Sequence, residues 1–162
     1  MTGFVIDTNV AMAANGRNTH ANLPCQRQCV KMLEEVCERH TVVLDDVYCI
    51  FREYQGRLSF SGAPGMGDAF FKHVFNHMHG GTSVRMVPIT PCSDEHRGFD
   101  ELPANELDPS DRKFLAVAVV AEAEILNATD SDWSEQETLT RDLGVSVRQL
   151  CPQHASKSTH QQ

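Results

Sequence analysis

Five acids in this chain of 162 residues stand where chemistry is possible: Asp7, Glu53, Asp111, Asp130 and Asp132. Carboxylates are hard oxygen donors, the type that Mg²⁺ and Mn²⁺ prefer over Cys or His. A divalent ion shared among several of them acidifies water and neutralises charge developing on a phosphate, which are the two obstacles to cleaving a phosphodiester. Acids crowded in this way also predict at least one raised pKa in the absence of metal. Thr8 and Asn9 follow Asp7 directly. They are candidates to hold its carboxylate by hydrogen bonds, to cap the next helix, or to do both.

Acids so far apart in sequence act together only if the fold gathers them. Residues 4–6 read as a short buried strand that ends at Asp7, and 124–128 as another that ends at Asp130. The β-branched run 41–44 is a third strand, 84–89 a fourth and 145–150 the last. Between them lie helical patterns: 24–39, a helix capped by Asp45 with an apolar stripe through Val47, Ile50, Phe51, Tyr54 and Leu58, then 68–79, stopping at Gly80-Gly81. Asp108-Pro109-Ser110-Asp111 is a strong start for a helix whose 114–121 stretch is almost wholly apolar. A helix over 134–143 is closed by Gly144. Residues 59–67 read as a Gly, Ser and Pro rich loop, 91–106 as irregular, and the polar tail from Pro152 as frayed. Short buried strands alternating with helices predict an α/β fold with a central parallel sheet. Ligands of such sheets sit beyond the carboxyl ends of the strands, so Asp7 and Asp130 share the edge where sites form.

Length suits one domain, and 41% hydrophobic with 22% charged residues marks a globular chain. No apolar run approaches the roughly 20 residues that cross a bilayer, and the N-terminal stretch has no secretory pattern, so a cytoplasmic protein without membrane contact is expected. The net charge of −8 argues against a simple basic surface gripping nucleic acid, although a clustered acidic site contributes to it and bound metal reverses its local sign. Cys25, Cys29, Cys37, Cys49, Cys92 and Cys151 are expected to be reduced, mostly packed thiols, and the lack of a CxxC pair speaks against a cysteine zinc site.

Four motifs in order resemble the PIN-domain ribonucleases, of the VapC-like toxin type. They are Val5-Ile6-Asp7-Thr8-Asn9-Val10, Arg52-Glu53-Tyr54, Asp111-Arg112-Lys113-Phe114-Leu115-Ala116-Val117-Ala118, and Ala128-Thr129-Asp130-Ser131-Asp132-Trp133. Gly144-Val145-Ser146-Val147 and Leu150 resemble the family's last strand. The resemblance covers about residues 3–151. It implies a three-layer α/β/α domain over 1–151, with a possible insertion at 59–82 and a flexible tail at 152–162. It further implies Mg²⁺ or Mn²⁺ held by Asp7, Glu53, Asp111 and Asp130 with Asp132 supporting, and hydrolysis of single-stranded RNA to 5′-phosphate ends. Many proteins of this type are toxins neutralised by a protein antitoxin, and many form homodimers. The family often has Thr or Ser two residues before the last motif's first acid, where this chain has Ala128 beside Thr129.

Plainer roles compete at each position. Asp7 also fits a turn acid, and Glu53 an ordinary glutamate on the flank of its helix. Asp111 also fits the third position of a capping box with Asp108. Asp130 and Asp132 fit a polar turn, with Trp133 a packing residue rather than a base-stacking platform. His73, His77 and His79 fit a helix surface better than a zinc site. Arg17, Arg52, Arg57, Lys72 and Lys113 are the cationic candidates for phosphate contacts, with solvated surface charge as their plainer role. At the level of the whole chain, the alternatives are a catalytically silent interaction module and a nuclease of structured DNA.

Overall fold

The computed structural model describes residues 3–155 and builds them around a five-stranded sheet. The strands are β1 (Gly3–Ile6), β2 (Thr41–Asp45), β3 (Val84–Val87), β4 (Glu124–Asn127) and β5 (Val147–Gln149), in the order β3-β2-β1-β4-β5. Every pairing is parallel. Burial marks the inner strands: Val5, Ile6, Val42, Val43, Leu44, Ile125 and Leu126 are wholly enclosed, so β1, β2 and β4 carry continuous apolar runs, whereas the edge strands β3 and β5 are partly exposed.

Chain order then fixes the layers. From β1 through β2 to β3 the chain steps outward in one direction, so the intervening helices share one face under the right-handed crossover rule. These are α1 (Thr8–Asn15), α2 (Leu23–Arg39), α3 (Cys49–Arg57) and α4 (Met66–His77). From β3 the chain returns past β2 and β1 to β4, which sends α5 (Arg112–Ala121) to the opposite face. The sense of strand progression reverses between β1 and β4, and the crevice at their carboxyl ends is where such a sheet accepts a ligand.

α5 is apolar nearly all round because it lies across the inner strands, and Phe114 to Ala118 are fully buried. α4 lies within the 59–82 segment, packs on α1 and α2, and sets Phe70 and Phe71 against Tyr54 of α3. A side chain at Gly67 would place its Cβ only 2.0 Å from the Ala11 carbonyl oxygen, so this close crossing requires glycine. Asp68 holds the preceding loop. Its carboxylate accepts from the Ser59 and Gly65 amides, from Asn15 Nδ2 and from Arg17 Nη2 at 2.8 Å. Burial opposes ionisation there, but these donors outweigh it and keep the carboxyl below its usual range. On the other side of the sheet, buried Arg112 pins the irregular 91–107 stretch by donating to the carbonyls of Glu95 and Asn105.

Several elements depart from the sequence expectation. Asp45 caps α3 by accepting from the Cys49 and Ile50 amides, but the helix starts only after a turn in which Tyr48 adopts φ +66°. The single helix expected over 134–143 is two short ones, α6 (Asp132–Glu135) and α7 (Glu137–Asp142), separated at Gln136. The cysteines are not all reduced: Cys25 on α2 is bridged to Cys151 just beyond β5, while Cys29, Cys37, Cys49 and Cys92 are free. The bridge ties the chain after the last strand to α2, and α8 (Pro152–Ala155) follows it. Of the tail expected to fray from 152, residues 156–162 lie outside the described residues.

Candidate metal centre

Asp7 directly follows β1 and is the residue before α1. Its carboxylate accepts from the Asn9 amide at 3.3 Å and from Trp133 Nε1 at 2.8 Å, and it is only 5% exposed. Asp111 closes the 3₁₀ turn Pro109–Asp111 that leads into α5, and Asp130 lies in the loop after β4. One carboxylate oxygen from each of Asp7, Asp111 and Asp130 lies within 4.8 Å of the other two. An octahedral Mg²⁺ with bonds of about 2.1 Å spaces its ligand oxygens about 3 Å apart when adjacent and about 4.2 Å apart when opposite. The donor chemistry and the spacing of this trio therefore fit such an ion.

Burial and mutual repulsion dominate the electrostatics of the trio. Burial pushes the Asp7 carboxyl from 3.8 up to about 7; the Trp133 hydrogen bond opposes the rise and the Asp130 charge adds to it. Asp111 is also raised well above the carboxylate range, by burial first and then by the charges of Asp7 and Asp130. Asp132 is raised by burial and by the Asp130 charge. Acids in this state hold protons that a divalent cation would displace.

Glu53 occupies a different niche. It flanks the trio from α3, accepts a hydrogen bond from Thr8 Oγ1, and pairs with Lys113 Nζ at 2.7 Å. Lys113 is itself fixed by the Ser110 carbonyl, and its side chain is only 13% exposed. Asp111 makes no capping hydrogen bond; Asp108 alone caps the turn, accepting from the Ser110 amide and hydroxyl at 2.9 and 2.7 Å. The capping box that was the plainer alternative for Asp111 is therefore absent, and the Asp111 side chain is turned to the other acids.

The loops that carry the trio are fastened to each other. Asn9 Oδ1 accepts from the amides of Ala128 and Thr129, and Asn9 Nδ2 donates to Asn127 Oδ1. Asn127 is fully buried and donates to the Asp130 carbonyl and to Gln149 Oε1. Tyr54 donates its hydroxyl to the Ile6 carbonyl, anchoring α3 at the end of β1. Trp133, Asn127 and Lys113 are contributors that the sequence did not single out in these roles. Trp133 is a packing residue as expected, 1% exposed, but its indole N–H is also the group that orients Asp7. The spacing acid-x-acid-aromatic was the available signal; the partner of the indole was not.

The other cationic candidates scatter. Arg17 is committed to Asp68, Arg52 donates to the Val47 carbonyl, and Arg57 and Lys72 are exposed. The rings of His73 and His77 lie 4.6 Å apart at a tilt of 39°, and burial together with the other imidazole holds His73 below its usual pKa. Among the described residues, no helix is long and apolar enough to cross a membrane.

No family model and no curated protein matches the sequence. Among solved structures, the chain is similar to one in the crystal structure of VapBC2 from Rickettsia felis bound to a DNA fragment from their promoter. The TM-score is 0.50 at 11% identity, over 91% of this chain and 98% of that one. At that identity the likeness is one of fold. The fold is PIN-like, an α/β domain whose all-parallel sheet carries a buried acidic trio at its carboxyl edge.

Proposed function

We propose that this protein is a divalent-metal-dependent endoribonuclease that hydrolyses single-stranded RNA. The observation that carries this reading is the convergence of Asp7, Asp111 and Asp130 from three separate elements onto one buried point. Mg²⁺ or Mn²⁺ bound there would supply positive charge to the phosphate and acidify water. Asp7, Asp111 and Asp130 would hold the ion, with Asp132 and Glu53 supporting.

The protein's own groups do the positioning. Trp133 and Asn9 fix both oxygens of Asp7, so this ligand needs no reorganisation when the cation arrives. Asp111 and Asp132 are both held above the usual carboxylate range, so a cation binding there would compete with protons. Lys113, held by Glu53 and the Ser110 carbonyl, keeps a positive charge beside the trio in a chain of net charge −8. Together with a divalent ion on the trio, that charge would favour a phosphate backbone at this edge. The similar structure is of VapBC2, and by the same resemblance we propose a protein antitoxin as a partner and a homodimer as the assembly.

The test uses purified protein and end-labelled single-stranded RNA, with Mn²⁺ or with EDTA, beside Asp111→Asn. Metal-dependent cleavage to 5′-phosphate ends, lost in the variant, is expected. Mn²⁺ binding that survives alanine at Asp7, Glu53, Asp111 and Asp130 together would sink the reading. Cleavage confined to structured DNA would move the substrate. Neither cleavage nor binding would leave a silent interaction module.

A further inference from the structure

Away from the acidic edge, a second group of potential ligands lies between α2 and the chain that follows β5. Cys25 and Cys29 are one helical turn apart on the inner face of α2, and Cys151 comes from the opposite end of the chain. The three sulfurs lie within 4.8 Å of one another, and each residue is 1% exposed or less. Two of them form the bridge, and the third is a free thiol beside it. A disulfide needs only two cysteines, and a buried third sulfur against the bridge has no role in a purely covalent staple. Once the bridge is reduced, its two sulfurs can separate to the spacing of a tetrahedral thiolate site, where zinc–sulfur bonds of about 2.3 Å place the ligands about 3.8 Å apart.

We propose that Cys25, Cys29 and Cys151 form a zinc-binding site when the bridge is reduced, so that the same sulfurs staple the C-terminal segment to α2 by metal or by disulfide according to redox conditions. The chemistry balances. An external dithiol supplies two electrons and two protons to the bridge and leaves as its own disulfide. The three resulting thiols then release three protons as Zn²⁺ binds. Cys25 stands in the first turn of the 17-residue α2, where the helix dipole favours a thiolate. Burial pushes the Cys29 thiol up to about 12, so without an ion it is neutral and inert, and coordination is what would ionise it. One corner of the tetrahedron remains. His154 stands three residues beyond Cys151, and its Nε2 accepts from the amide of Asn22, the residue that caps α2. Its ring nitrogens lie outside the sulfur cluster, so the fourth corner falls to water. The CxxC spacing that the sequence lacks is unnecessary here, because the third ligand is delivered by the sheet order rather than by local chain.

The experiment uses the full chain, reduced with a dithiol under anaerobic conditions, desalted, and titrated with Co²⁺ as a spectroscopic stand-in for Zn²⁺. A thiolate-to-cobalt charge-transfer band that saturates at one equivalent and is displaced by Zn²⁺ is expected. The carboxylate site cannot produce this band, so Asp7→Asn retains it. Cys37→Ser, on the same helix, also retains it, and Cys29→Ser loses it. In parallel, Zn²⁺ is expected to protect Cys25, Cys29 and Cys151 of the reduced wild-type protein from alkylation, as mapped by peptide mass spectrometry. That arm stands even if Cys29→Ser fails to fold. A colourless cobalt titration, a band that persists in Cys29→Ser, or equal alkylation with and without Zn²⁺ would each overturn the proposal.

Discussion

Replacing Asp7 by Asn separates what the carboxylate does for chemistry from what it costs the fold. Its pKa is higher in the folded chain, about 7 against 3.8. Between those values the native state holds a proton that the unfolded chain has lost, so metal-free stability falls as pH rises through that window. At about 1.4 kcal/mol per pKa unit, the ionised form costs on the order of 4 kcal/mol above pH 7, and almost nothing below about pH 4. Asn removes that cost and also the share of the Asp111 rise caused by the Asp7 charge. Asn offers one acceptor oxygen where Asp7 offers two, one to Trp133 Nε1 and one to the Asn9 amide. The stranded donor costs about 1–3 kcal/mol at any pH. In EDTA, the variant is expected to exceed wild type by about 1–3 kcal/mol at pH 8, with the advantage shrinking on acidification and reversing by about pH 4. Urea unfolding followed by the fluorescence of Trp133, the one tryptophan, measures this directly. Mn²⁺ at about 100 times its dissociation constant should add about 2.7 kcal/mol to wild type and nothing to the variant. Stability curves that run parallel from pH 5 to 8, or an equal gain from Mn²⁺ in both proteins, would refute the reasoning.

Trp133→Phe keeps most of the ring volume and deletes the donor to Asp7. The Asp7 carboxyl should rise further, moving the acid limb of the pH–activity profile upward and weakening Mn²⁺ binding by about 10–100-fold; an unchanged profile would show that the indole only packs. Asn9→Ala leaves the Ala128 and Thr129 amides without their acceptor and unclips the two loops, at about 1–3 kcal/mol per buried donor. Thermal unfolding reads this cost, and a melting temperature equal to wild type would deny the clamp. Asp108→Ala and Asp111→Asn should divide cleanly. The first removes the cap, at about 0.5–2 kcal/mol, and keeps cleavage, whereas the second abolishes cleavage without lowering metal-free stability at pH 8. Equal loss of cleavage in both would mean that the turn, not the ligand, is what matters.

Much of this protein is written locally. The apolar runs at 4–6, 41–44 and 124–127 are strands because they are short, β-branched and bounded by polar residues, and their alternation with helices demands a parallel sheet. An acid placed directly after such a strand must emerge at the carboxyl edge, so Asp7 and Asp130 were legible as neighbours before any coordinates. Partner choice was not. The pairing of Glu53 with Lys113, the Trp133 hydrogen bond to Asp7, the Asp68 anchor for the 59–65 loop and the cluster of Cys25, Cys29 and Cys151 each join groups far apart in the chain. Residue type announces that a carboxylate, an indole or a thiol wants a partner, because each is costly to bury alone. Which partner it meets depends on strand order, helix crossing and rotamer. Only the packed structure fixes those, since every one of them is settled by the shape of the common core rather than by the neighbours in sequence.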